Sequence, residues 1–219
     1  MSSEFLTIDA VEKLFTRKDG SYRCARWGRP IAPVVFGVDD ETLACLKDAI
    51  TQTVAVTGGS LVETDPEVGA NFMWFFCTRW EELRDVPDLG QVVPDLQNLV
   101  IDLNRRGLNQ NRMFIYDAQG AIKMCLLFIR MRAGVAEMPA QVLAVGETLQ
   151  SLLTWAEDAF LSLSPIALVE ENGICIVKPS FAALVRAAYD PLLPDAAPDV
   201  SHALRLHPRA EKLYAGLQQ

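Results

Sequence analysis

Apolar positions recur at helical spacing in some stretches of this chain and form short unbroken runs in others, and the alternation between the two predicts its elements. Residues Ile8 to Leu14 read as a short helix. SYRCARWGRPIAPVVFGV reads as extended chain, with Pro30 and Pro33 keeping its middle at a sheet edge or outside a ladder. In DDETLACLKDAITQTVAVTGG, Leu43, Leu46, Ile50 and Val54 share one helical face, an aspartate at the start supplies the cap, and Gly58-Gly59 ends the run. SLVETD predicts a short strand and ANFMWFFC a buried one. Pro87 and Pro94 divide the helical signal between Arg79 and Gly107 into short pieces. NRMFIYDAQGAIKMCLLFIRMR predicts a hairpin turned by Asp117-Ala118-Gln119-Gly120.

Pro139 opens a long helix, read across Gln141 to Phe160, whose apolar stripe is Val142, Val145, Leu149, Leu152, Leu153, Ala156 and Phe160. SPIALVEENGICIVKP predicts a second hairpin around Glu171-Asn172-Gly173, and Ser180 is expected to cap the helix FAALVRAAYD. The last helical signal runs near Ala210 to Leu217. The fold class that results is α+β, on a mixed or antiparallel sheet. The 219 residues are expected to form a single domain, with a core over about 25–195 and a C-terminal extension over 196–219.

Composition narrows the function classes. Half of the residues are apolar and 22% charged, as in a folded globular protein, and the net charge of -8 argues against nucleic acid or an anionic membrane as partner. The basic run Arg17, Lys18, Arg23, Arg26 and Arg29 is expected to be a solvated strand face or a set of local ion pairs. MSSEFLTIDAVEKLF has no basic start and no apolar stretch of signal-peptide length, which predicts a cytoplasmic protein, and no window is long and apolar enough for a membrane helix. The five cysteines are scattered with no CxxC pair, so no disulfide framework is expected. Cys45, Cys77, Cys125 and Cys175 read as small buried hydrophobes. Trp27, Trp74, Trp80 and Trp155 read as core, with an exposed Trp74 or Trp80 anchor as a weaker reading. His202 and His207, the two histidines, are five apart and read as exposed tail residues.

Candidate chemistry centres on the long helix. Gly146, Glu147, Gln150, Thr154 and Glu157 occupy the arc beside its apolar stripe, with positions 146 and 150 one turn apart. In HExxH zinc proteases two histidines at that spacing hold the metal and the glutamate between them polarises water. Here glycine offers no donor and glutamine only a neutral amide oxygen. The GExxQ helix, the loop leading to SPIALVEENG and the later LVRAAYDPLLP, with Tyr189-Asp190-Pro191, together resemble a bacterial family of domains of unknown function classed with the zincin-like metallopeptidases. That resemblance spans about 25–195. It departs at Gly146, where an acidic residue or histidine is expected, and at Leu153-Thr154, where Leu-Gly is expected.

The resemblance implies a zincin-like fold in which Glu147 stands at the general-base position and Gly146, Gln150, Thr154, Tyr189 and Asp190 border the former cleft. It implies a catalytically inactive binding or scaffold module with no cofactor and a peptide or protein partner. The alternative is a metal-dependent hydrolase with Glu147 as base and zinc held by unusual ligands such as Glu147, Glu170, Asp190 or a C-terminal histidine.

Overall fold

The computed structural model describes residues 5–132, 134–169 and 173–217. Its centre is a mixed four-stranded sheet of β2 (Pro33–Phe36), β3 (Phe72–Cys77), β4 (Gln110–Tyr116) and β5 (Ile122–Arg130), in the order β2-β3-β5-β4. The first three strands in that order are parallel, and β4 pairs antiparallel with β5 at the edge. The unbroken apolar runs of β3 and β5 follow from burial on both faces. Phe72, Trp74 and Phe76 with Cys125, Leu127 and Ile129 join one hydrophobic cluster, while Phe75 and Cys77 with Leu126 and Phe128 join the other.

Helices cover each face. On the first lie α2 (Asp40–Ala55), α5 (Ala140–Leu152), α6 (Pro179–Ala188) and α7 (Ser201–Leu217), with α1 (Ile8–Lys13) beside them. On the second lie a 3-10 helix (Trp80–Asp85), α3 (Leu89–Val92) and α4 (Leu96–Arg105), broken up as the prolines predict. Asp39 caps α2, its carboxylate accepting the Thr42 N–H at 2.7 Å. In the hairpin, Asp117 accepts from the N–H groups of Gln119 and Ala121, and Gly120 takes the φ of +85° that the turn needs.

Several expectations are corrected. SLVETD forms no strand: Leu61 makes only an isolated bridge to Ile31. Helix α5 stops at Leu152, because the chain beyond it is captured by the strand β1 (Cys24–Ala25). Leu153 bridges Arg26, and the Thr154 N–H donates to the Ala25 carbonyl at 3.0 Å. Helix α6 begins at Pro179 with Lys178 at its cap position, so Ser180 lies inside it. A second hairpin does form, from β6 (Ile166–Leu168) and β7 (Cys175–Val177), while Glu171 and Asn172 of its expected turn lie outside the described residues.

The C-terminal segment, residues 196–217, packs on the core. Ala203, Leu206, Ala210 and Tyr214 of α7 enter the first cluster, and β8 (Ala196–Ala197) pairs with β1. His202 is 2% exposed, and it shares a 3.0 Å hydrogen bond with the Tyr22 hydroxyl; His207 Nε2 bonds the Leu6 carbonyl oxygen at 2.9 Å. Both replace the expected exposed histidines. Cys45 is exposed on α2, against the buried reading, while Cys24, Cys77, Cys125 and Cys175 are buried and unpaired. Trp27, Trp74 and Trp80 are core, which removes the exposed-anchor reading. Of the basic run, Arg26 pairs with Asp195 at 2.7 Å and Arg29 with Asp65 and Glu67. No helix among the described residues is long and apolar enough to cross a membrane.

Candidate functional site

Among the described residues strand β4 pairs on one side only, with β5, and its register decides what the other edge offers. The Arg130 N–H donates to the Asn109 carbonyl at 2.8 Å, and the pairing continues through Asn111 with Phe128 and Met113 with Leu126. Alternate residues of an antiparallel pair exchange hydrogen bonds, so Gln110, Arg112 and Phe114 turn their main-chain N–H and C=O outward. Their side chains point to the sheet face that carries α5: Phe114 packs in the first cluster, while Met113 and Ile115 pack in the second.

Arg112 and Glu147 meet on that face. Nη2 of Arg112 lies 2.5 Å from Oε2 of Glu147, with the two side chains 18% and 8% exposed. Nε of Arg112 donates to Ser151 Oγ at 2.9 Å, and Ser151 donates in turn to the Glu147 carbonyl at 2.7 Å. Glu147 is thus buried and paired. Helix α5 is enclosed by α2, the sheet and the β6–β7 hairpin, so the flank carrying Glu147, Thr148 and Ser151 is buried as well as the apolar stripe. Beneath the pair, burial pushes the Cys125 thiol up to about 12, against a smaller lowering by Arg112, so it stays protonated.

The remaining candidates part company. Gln150 borders a pocket of about 320 Å³ whose walls include Arg112, Phe114, Trp155, Phe160 and Leu161. Gly146 faces the hairpin instead, where an added Cβ would sit 3.6 Å from Ile166 Cδ1. Thr154 lies beyond the helix end, buried, with its hydroxyl oxygen accepting the Ala25 N–H at 2.9 Å. The Tyr189 hydroxyl donates to the Leu152 carbonyl at 2.9 Å, tying the end of α6 to the end of α5, and burial raises its pKa above the usual tyrosine value. Asp190 pairs with Arg209 at 3.2 Å in a different cavity.

These residues do not fit zinc. Position 146 has no donor atom, position 150 has a neutral amide, and the carboxylate between them is committed to a guanidinium. The unusual ligands considered above do not assemble either. Asp190 and both histidines have other partners, Glu170 lies outside the described residues, and no three His, Cys, Asp or Glu gather among those described.

Sequence reasoning missed Arg112. Its signal was a lone cation in the inward-facing series Gln110, Arg112, Phe114, Tyr116 of β4, with a lone carboxylate at Glu147 on the next helix. No family model, no curated protein and no solved structure matches this chain.

Proposed function

We propose that this protein is a non-catalytic binding module on a zincin-like arrangement, and that the groove between the free edge of β4 and the end of α5 holds an extended peptide or protein segment. The observation that carries this reading is the Arg112–Glu147 pair. It engages the one carboxylate the resemblance assigns to catalysis and leaves the backbone of Arg112 and Phe114 turned outward beside a pocket with aromatic walls. A mixed sheet packed against the GExxQ helix supports the zincin-like part of the reading.

Binding then works by strand addition. The N–H groups of Gln110, Arg112 and Phe114 donate to carbonyls of the incoming segment and their carbonyls accept its N–H groups, which supplies affinity without regard to sequence. Selectivity comes from the pocket, where Phe114, Trp155 and Phe160 receive an apolar side chain and the Gln150 amide offers a polar contact at the rim. Neither role needs Glu147 to move a proton.

The test combines selection of phage-displayed peptides with Gln110→Pro. That substitution removes one outward N–H, and an edge position tolerates proline because no ladder bond is lost. Selected peptides are expected to bind about tenfold more weakly to Gln110→Pro, a difference of about 1.4 kcal/mol, and to slow amide exchange at Arg112 and Phe114. Failure to enrich any peptide, equal binding by the variant, or zinc-dependent cleavage of peptide by tag-free protein would reject the proposal.

A further inference from the structure

A separate groove, formed where the exit of α2 meets α6 and α7, has the features of a second binding site and rests on none of the argument about β4. Its cavity is about 910 Å³ and presents Arg186, Arg209 and Lys212 against a single carboxylate, Asp190, in a chain whose net charge is -8. Arg209, Lys212, Leu213 and Leu217 lie on one face of α7 by their spacing, so the helix brings two of the cations and an apolar strip to the same side.

The carboxylate is already engaged. Asp190 takes Arg209 Nε at 3.2 Å and the Leu192 N–H at 2.8 Å. Among the described residues the side chains of Arg186 and Lys212 have no ion pair or hydrogen bond, so positive charge at the cavity is left uncompensated. Arg186 is also seated. Gly58 has a φ of +83°, and a Cβ added there would fall 1.5 Å from Arg186 Nη1 and 2.2 Å from its Cζ. The guanidinium therefore fills the space that only glycine leaves open at the end of α2. Holding a long side chain in one place costs entropy, and within the described residues no anion offsets it.

The apolar part of the groove continues past the cations. A neighbouring cavity of about 350 Å³, lined by Val56, Ala182 and Ala183, shares Arg186, Leu213 and Leu217 with the first. A charged mouth leading into an apolar channel matches a ligand with an oxyanion head and an apolar tail.

We propose that this groove binds a small amphipathic anion, its phosphate or carboxylate head held by Arg186, Arg209 and Lys212 and its tail lying along Leu213, Leu217 and Val56. The head is common to alkyl phosphates and fatty carboxylates, and calorimetry of the full, tag-free chain with octyl phosphate and with octanoate separates the two sources. Saturable binding of at least one is expected, with inorganic phosphate and octyltrimethylammonium each at least tenfold weaker, about 1.4 kcal/mol.

The double variant R186A/K212A should melt with the wild type, since both side chains are exposed, and should bind at least about tenfold more weakly. R186K/K212R, which keeps the charge, should retain binding. Absence of binding by both amphiphiles, undiminished binding by a folded R186A/K212A protein, or equal affinity for inorganic phosphate would overturn the proposal.

Discussion

A carboxylate as enclosed as Glu147 needs a cation or several donors to answer it, and Arg112 does so across the gap between strand and helix. Breaking such a pair from one side leaves a buried charge uncompensated, which costs more than the pair contributes. Arg112→Met is therefore expected to destabilise the protein by roughly 2–4 kcal/mol in urea unfolding, and Glu147→Gln by less, since the guanidinium is the more exposed partner and keeps its bond to Ser151. The double variant should recover much of the Arg112→Met loss. Additive losses would show that the two side chains are not coupled. The position of Glu147 was legible in the sequence from its helical register, but its burial was not. That burial depends on a partner 35 residues earlier in the chain, and a pairing between two elements leaves no trace in local periodicity.

Among the elements, β3, β4 and β5 were legible because an apolar run bounded by turn residues has few other ways to be buried, and α2 because a cap, a stripe and a glycine stop agree. The C-terminal part of the expected long helix was misread for a physical reason. Leu153 to Phe160 keeps apolar residues at near-helical spacing, but they serve other contacts. Trp155 stacks on Phe15 at 5.1 Å and meets Phe160 at 5.0 Å, while the backbone of Leu153 and Thr154 bonds β1. The start of α7 was missed because Pro208 reads as a breaker. Here it costs little, since the carbonyl it leaves unbonded, four residues back at Leu204, belongs to an exposed residue that water can solvate. Tyr189 belongs to this scale too, because its hydroxyl caps a carbonyl at the end of α5. Tyr189→Phe is expected to lower stability by about 1–2 kcal/mol and to speed amide exchange in the last turn of α5 ahead of its centre. An unchanged exchange pattern would mean that the bond does not hold the helix end.

Across the whole molecule, the first residues and the last helix are joined. Phe5 meets Tyr214 at 5.3 Å, β1 pairs with β8, and Tyr22 holds His202. None of this was legible, since two short strands about 170 residues apart carry no pattern that links them, and an α+β class on a mixed or antiparallel sheet was as far as periodicity reached. The join is pH-sensitive. Burial, and to a smaller extent Arg205, depresses the His202 pKa from 6.5 to about 4, so folded His202 is neutral where the unfolded residue binds a proton. Its contribution is therefore complete above pH 6.5 and is lost as pH falls toward 4, by roughly 3 kcal/mol in all. His202→Gln should be less stable than wild type at pH 7, with the gap closing between pH 6.5 and 4.5 in parallel urea titrations. A constant gap would place the acid sensitivity elsewhere.

The strand order β2-β3-β5-β4 also governs how the chain leaves the ribosome. The partner that closes the inner edge of β3 is β5, and β5 begins at Ile122, about 45 residues after β3 ends at Cys77. At ordinary elongation rates that interval is roughly two to nine seconds. Throughout it, the aromatic strand Phe72–Cys77 has one bare edge, and its second face gains the cover of α4 only after Arg105 is made, more than halfway through. The most apolar strand of the sheet is thus the one left open longest during synthesis, and it is there that a holdase would find its grip and a stalled chain its route to aggregation.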